Sequence, residues 1–131
     1  TKFTGSKKSD LMLTLEFAGA FAEEWIAGWN AHDLTRILRH YTDDFTIETP
    51  MAAKLLPGNK GLVAGKENTK AYWTIGLERI PELRFEMLDL LVGINGLTIY
   101  YVNTATGKRS AEMLHFNDRQ LVEKVVVHYS E

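Results

Sequence analysis

The sequence predicts an α+β fold, with helices packed on one face of a curved antiparallel sheet. Two observations carry this reading. Early in the chain, apolar residues recur at three- and four-residue steps, the period of a helix. After Pro81, runs rich in β-branched and aromatic residues follow one another across short turns. The chain has 131 residues, 45% of them hydrophobic and 24% charged. That composition excludes disorder, collagen and coiled coil. The length suits one domain, by the prior of roughly 100–200 residues each. Such a domain buries roughly two-thirds of its unfolded surface, enough for a core and a pocket.

Residues 1–8 form a polar tail expected to be flexible, and 9–131 the single domain. Ser9 or Asp10 can cap a first helix running from Leu11 to about Trp29. Ala18, Phe21, Trp25 and Trp29 share one face, widened by Leu15, Ala22 and Ile26. Asn30-Ala31-His32-Asp33 interrupts the pattern, and Asp33 caps a short helix from Leu34 to Tyr41. Asp43-Asp44 reads as a turn. Phe45 to Thr49 alternates apolar and polar, so it reads as a strand ended by Pro50. Met51 to Gly65 reads as a long loop or broken hairpin, and Lys66 to Leu77 as a third helix. Strands are expected at Leu83–Val92, Leu97–Asn103, Lys108–Phe116 and Leu121–Tyr129. Their short turns make them consecutive antiparallel hairpins.

Turn length sets which side chains share a face. With Thr106-Gly107 as a turn centre, Tyr101 faces Glu112, Ile99 faces Leu114 and Asn103 faces Ser110. With Asp118-Arg119 as the next, Glu112 faces Val125 and Leu114 faces Glu123. Leu97, Ile99, Tyr101, Glu112, Leu114, Phe116, Val125 and Val127 then point one way. Met113, His115, Val126 and His128 point the other. The apolar set suits the helix-covered face, which leaves the carboxylate of Glu112 among aromatic and aliphatic neighbours.

Fifteen Lys and Arg against 17 Asp and Glu give a net charge of −2. A nucleic-acid binder shows a basic surplus, so no nucleic-acid partner is expected, and no membrane partner either. There is no cysteine, which removes disulfides, thiolate nucleophiles and cysteine metal sites. That fits a reducing compartment, and a cytoplasmic protein is expected. No run approaches the ~18 apolar residues of a membrane span, and the first residues do not form a signal peptide.

The stretch Trp25-Ile26-Ala27-Gly28-Trp29-Asn30-Ala31-His32-Asp33-Leu34, then Tyr41-Thr42-Asp43-Asp44-Phe45, then Gly65-Lys66 before Tyr72-Trp73, resembles the nuclear transport factor 2-like superfamily. Pro81 to Phe85, Leu90 to Gly93, Tyr100-Tyr101, Ala111-Glu112 and His128-Tyr129 fit the same pattern. The resemblance covers nearly all of the chain after Ser9. It implies a cone-shaped α+β fold enclosing a pocket, as in ketosteroid isomerases and SnoaL-like polyketide cyclases. The chain looks most like a group of bacterial SnoaL-like proteins. A homodimer through the outer sheet face is the implied assembly.

Ketosteroid isomerase chemistry needs a carboxylate base, a tyrosine and a protonated aspartic acid. By resemblance these positions hold Thr49, Trp25 and Leu114, so all three groups are replaced. The resemblance therefore implies a pocket without that activity, lined by Trp25, Trp29, Thr49, Trp73, Ile99, Tyr101, Asn103 and Leu114.

Glu112 is the candidate catalytic residue, because burial raises a carboxyl pKa toward neutrality. Tyr101 could bond it or orient a substrate oxygen. A structural carboxylate tied to the phenol or to a loop amide is the alternative. Trp25 and Trp29 are either core or a flat wall for a ring-shaped ligand. His115 and His128 belong to the outer face. His32 and His40 lack the spacing of metal ligands, so no metal and no cofactor are expected. Lys60 to Glu67 fails as a phosphate loop, since Lys60 stands where Gly is needed and Glu67 where Ser or Thr is. Met51, Leu55, Leu56 and Leu62 could instead close over a ligand or equally pack on the helices.

Two functional classes follow. One is a cofactor-independent enzyme doing isomerisation, cyclisation, dehydration or hydrolysis on an apolar or cyclic molecule by acid–base chemistry. The other is a non-catalytic ligand carrier or protein-interaction module.

Overall fold

A computed structural model describes residues 13–130. The tail, Ser9, Asp10 and the expected helix start at Leu11 lie outside the described residues. Helix α1 spans Leu15–Asn30, and the Thr14 side chain caps it by accepting the Phe17 N–H at 2.9 Å. Its buried stripe is Ala18, Phe21, Ala22, Trp25, Gly28 and Trp29. Leu15, expected to widen that stripe, is instead 79% exposed at the helix start.

Asp33 caps α2 (Leu34–Leu38) by accepting the Arg36 N–H at 3.1 Å. This helix is shorter than expected, because the chain is already extended at Tyr41. Strand β1 is Tyr41–Glu48, so Asp43 and Asp44 lie in a strand rather than in a turn. The register of β1 against its neighbour shifts between Tyr41 and Thr46, a bulge that carries this acidic pair. Thr49 caps the next helix, α3 (Pro50–Leu55), with Pro50 in the first turn. Proline suits that position because its missing N–H has no partner there anyway. The expected loop therefore holds a helix and a short strand, β2 (Leu62–Ala64), paired antiparallel with β1. Gly65, at φ +87°, turns the chain into α4 (Lys66–Arg79).

Strands β3 (Phe85–Val92), β4 (Gly96–Asn103), β5 (Arg109–Phe116) and β6 (Val122–Tyr129) form the expected meander. The six-stranded sheet runs β2-β1-β6-β5-β4-β3, with β1 parallel to β6 and every other pair antiparallel. It is curved and open, and the helices pack on its inner face.

The register differs from expectation by two residues in both hairpins. Tyr101 faces Ser110, Ile99 faces Glu112 and Leu97 faces Leu114. Across the next hairpin Glu112 faces Val127 and Leu114 faces Val125. The β4–β5 loop explains the first shift. Asn103 N–H donates to the Lys108 carbonyl at 2.9 Å, so four residues rather than two make the turn. A shift of two keeps the parity. Every residue of the expected inward set is buried, and Met113, His115, Val126 and His128 are half-buried or exposed.

Asn30 joins α1 to the edge strand. Its Nδ2 donates to the Phe85 carbonyl at 3.0 Å, and the Phe85 N–H donates to its Oδ1 at 2.7 Å. His32 holds the adjacent segment through Nε2 and the Leu83 carbonyl, 2.9 Å apart.

Candidate functional site

A cavity of about 220 Å³ lies between the inner sheet face and helices α3 and α4. Its wall is mainly apolar and aromatic: Trp29, Trp73, Phe85, Met51, Leu55 and Leu77 among others. Trp29 and Trp73 meet edge to face with centroids 4.8 Å apart, which fixes α4 against α1. The buried side chains Ile47, Thr49, Glu112 and Val127 mark the floor. Exposed Arg79, Thr106 and Lys108 mark the mouth.

Glu112 is 4% exposed. Strand alternation turns it inward from the middle of β5, between Ile99 and Val127. Its Oε1 accepts the Tyr101 hydroxyl at 2.9 Å. Oε2 accepts no hydrogen bond among the described residues and is not sealed in the core, so it opens to the cavity. Burial pushes the carboxyl up to about 7, against the downward pull of the Tyr101 hydrogen bond. A group that titrates near neutrality can both accept and return a proton.

Further hydroxyl groups line the same cavity. Thr49 Oγ1 donates to the Tyr129 hydroxyl at 3.3 Å and accepts the Met51 N–H at 3.3 Å. Tyr72, from α4, lines the same cavity as Thr49 and Tyr129. Burial pushes Tyr72 up to about 12. Tyr129 is raised by burial and by Tyr72, and Tyr101 by burial and by the Glu112 charge. All three phenols therefore keep their protons at neutral pH and can donate.

Of the residues expected at the site, Glu112, Tyr101, Trp29, Thr49, Trp73 and Asn103 line the cavity together. Trp25, Ile99 and Leu114 do not; they are core. Trp25 lies under the cavity wall, where its Nε1 donates to the Tyr41 hydroxyl at 3.0 Å and its ring stacks on Phe85. Ile99 is fully buried, and Leu114 lies one inward step along β5 from Glu112, beyond the cavity. Of the apolar residues expected to close over a ligand, Met51 and Leu55 line the cavity, Leu56 packs on the core and Leu62 is exposed. Asn103 is partly committed to structure: its Oδ1 accepts the Ala105 N–H at 3.0 Å inside the hairpin loop.

Sequence reasoning missed Tyr72, Tyr129 and Ser110. Tyr129 shares the parity of Val125 and Val127, which is the signal that points it inward. Tyr72 and Trp73 share a helical face with Thr69 and Gly76, all inward or lining. No cluster of three or more potential metal ligands occurs among the described residues. None of the described helices is long and apolar enough to cross a membrane.

Known proteins with this architecture are similar over most of the chain. A SnoaL-like protein of unknown function from Burkholderia thailandensis E264 is 39% identical, with 92% of this chain and 99% of that chain covered at a TM-score of 0.86. AclR, a candidate hydroxylase from Streptomyces galilaeus, is 17% identical, with 89% of this chain and 81% of that chain covered at a TM-score of 0.68. A candidate ketosteroid isomerase from Kribbella flavida is 16% identical, with 95% and 83% covered at a TM-score of 0.69. At such identities the last two share the fold alone. No curated protein matches the chain. Residues 22–127 match the SnoaL-like domain. With that match and the cone of helices on an open sheet, the chain belongs to the SnoaL-like family of the nuclear transport factor 2-like superfamily.

Proposed function

We propose that the protein is a cofactor-independent acid–base enzyme acting on a small, apolar, ring-containing molecule. One observation carries this reading: a buried carboxyl at the cavity floor has one oxygen held by a phenol and the other open to the cavity. Glu112 Oε2 removes a proton from a carbon of the bound molecule. The electron pair moves toward an oxygen substituent, which accepts a hydrogen bond from Tyr72 or Tyr129. Glu112 then returns the proton at another atom, so no redox step is needed. Trp29, Trp73 and Phe85 hold the hydrocarbon and keep water away from the carboxyl. Isomerisation, cyclisation and dehydration all use this exchange.

The test is base-catalysed ring opening of a nitro-substituted benzisoxazole. Removal of its ring proton breaks the N–O bond and releases a coloured phenolate. The expected rate rises with pH through about 7, and Glu112→Gln lowers it at least about a hundredfold. A wild-type rate no faster than a free carboxylate, or an unchanged rate in Glu112→Gln, overturns the reading. Binding of the benzisoxazole without turnover would favour the second reading, a ligand carrier. The replacement of the isomerase groups by Thr49, Trp25 and Leu114 supports that alternative.

A second copy of the chain is the partner we infer, packed on the outer sheet face. A groove there is lined by Leu91, Thr98, Met113, His115 and Val126. Sedimentation is expected to give a dimer at micromolar concentration; a monomer overturns this.

A further inference from the structure

We propose that the molecule taken by this cavity carries an anionic group, held at the mouth by Arg79 and Lys108 while its apolar body fills the space toward Glu112. This deepens, and rests on, the reading of the cavity as a small-molecule site.

The argument begins with where the charges lie. Arg79 closes α4, and Lys108 stands at the foot of the β4–β5 loop, immediately before β5. Two separate elements thus bring a cation each to one opening. Among the described residues the single acid in the cavity lining is Glu112, at the buried end. Glu78 and Glu82, close to Arg79 in sequence, do not line the cavity. Among the described residues, neither Arg79 nor Lys108 lies within 4.0 Å of a carboxylate oxygen, whereas Arg36 pairs with Glu24 and Lys66 with Asp43.

The lining between the two ends includes apolar Trp73, Leu77, Ile80 and Leu83. A ligand matching this sequence of surfaces has a hydrocarbon body with a negative charge at one end. A polar group that can exchange a proton lies at the other. Size agrees: a cavity of roughly 150 Å³ holds benzene, so about 220 Å³ admits a two-ring body. Both cations are exposed, so their attraction for an anion is modest and is screened by salt. Arg79 offers a planar fork that suits a carboxylate, and Lys108 a point charge.

The probes are 2-naphthoate and 2-naphthamide, which share a ring system and differ in charge. Both are titrated by calorimetry at about pH 6, where the ligand carboxylate is ionised and Glu112 is mostly protonated. The naphthoate is expected to bind about tenfold tighter than the amide at low salt, with the advantage shrinking as salt is added. Arg79→Gln and Lys108→Gln are each expected to cut the preference about threefold, the range of an exposed ion pair. The double variant brings it to about unity. Equal affinities in the wild type overturn the anion assignment and leave the cavity as a ligand site. A preference that survives in the double variant overturns the roles of these two residues. Binding of neither probe overturns the ligand-site reading and this inference with it.

Discussion

Tyr101 and Glu112 are hydrogen-bonded at 2.9 Å although neither is the other's cross-strand partner. Tyr101 faces Ser110, Glu112 faces Ile99, and the phenol reaches diagonally along the ladder. This diagonal leaves the carboxyl half satisfied. One oxygen has a donor and the other opens into an apolar cavity. Burial then outweighs the single donor, and the carboxyl titrates at about 7.

That value makes stability depend on pH. Below about 4.5 the folded and unfolded chains both hold the Glu112 proton. Between there and about 7 the folded chain keeps it and the unfolded chain has released it. Stability from this group therefore falls as pH rises through that window, by on the order of 3 kcal/mol. Glu112→Gln removes the dependence. Urea melts of both proteins at pH values below and above the window are expected to show the variant gaining on wild type as pH rises.

Tyr101→Phe removes the one donor that favours the charged carboxylate. The Glu112 pKa is expected to climb further, by about one unit. The inflection of the benzisoxazole pH–rate profile reads this directly. A purely structural phenol would lower stability and leave the inflection in place.

Trp25 and Trp29 stand one helical turn apart but differ in role, and substitution separates them. Trp25→Phe strands the buried Tyr41 hydroxyl and is expected to cost about 2 kcal/mol of stability. Affinity for naphthamide should stay close to wild type, because Trp25 does not line the cavity. Trp29→Leu is expected to weaken that affinity severalfold. Chemical denaturation and calorimetry on the same preparations check both.

Asn30→Ala removes both bonds that tie α1 to the backbone of Phe85. The expected cost is about 2 kcal/mol. Because β3 is an edge strand, the loss should appear locally before it appears globally. Faster amide hydrogen exchange at the start of β3, with β5 unchanged, is the signature.

Much of the fold was legible in the residues because its signals are local. Helical spacing picked out the buried face of α1 from Ala18 to Trp29. Strand alternation placed Glu112, Tyr101 and Val127 on the inner face and His115 and His128 on the outer one. That assignment survived a wrong register, since both hairpins moved by two and side chains alternate with period two. Tertiary structure alone decided the rest. The length of the β4–β5 turn depends on the Asn103–Lys108 closure, which sets Ile99 rather than Tyr101 opposite Glu112 on β4. Where α4 lands on the sheet decided that Trp29 and Trp73 wall the cavity while Trp25, Ile99 and Leu114 fill the core. The same docking brought Tyr72 to Thr49 and Tyr129, residues far apart in the chain. Periodicity states which side of an element is apolar; only packing between elements states whether the space beyond that side is filled.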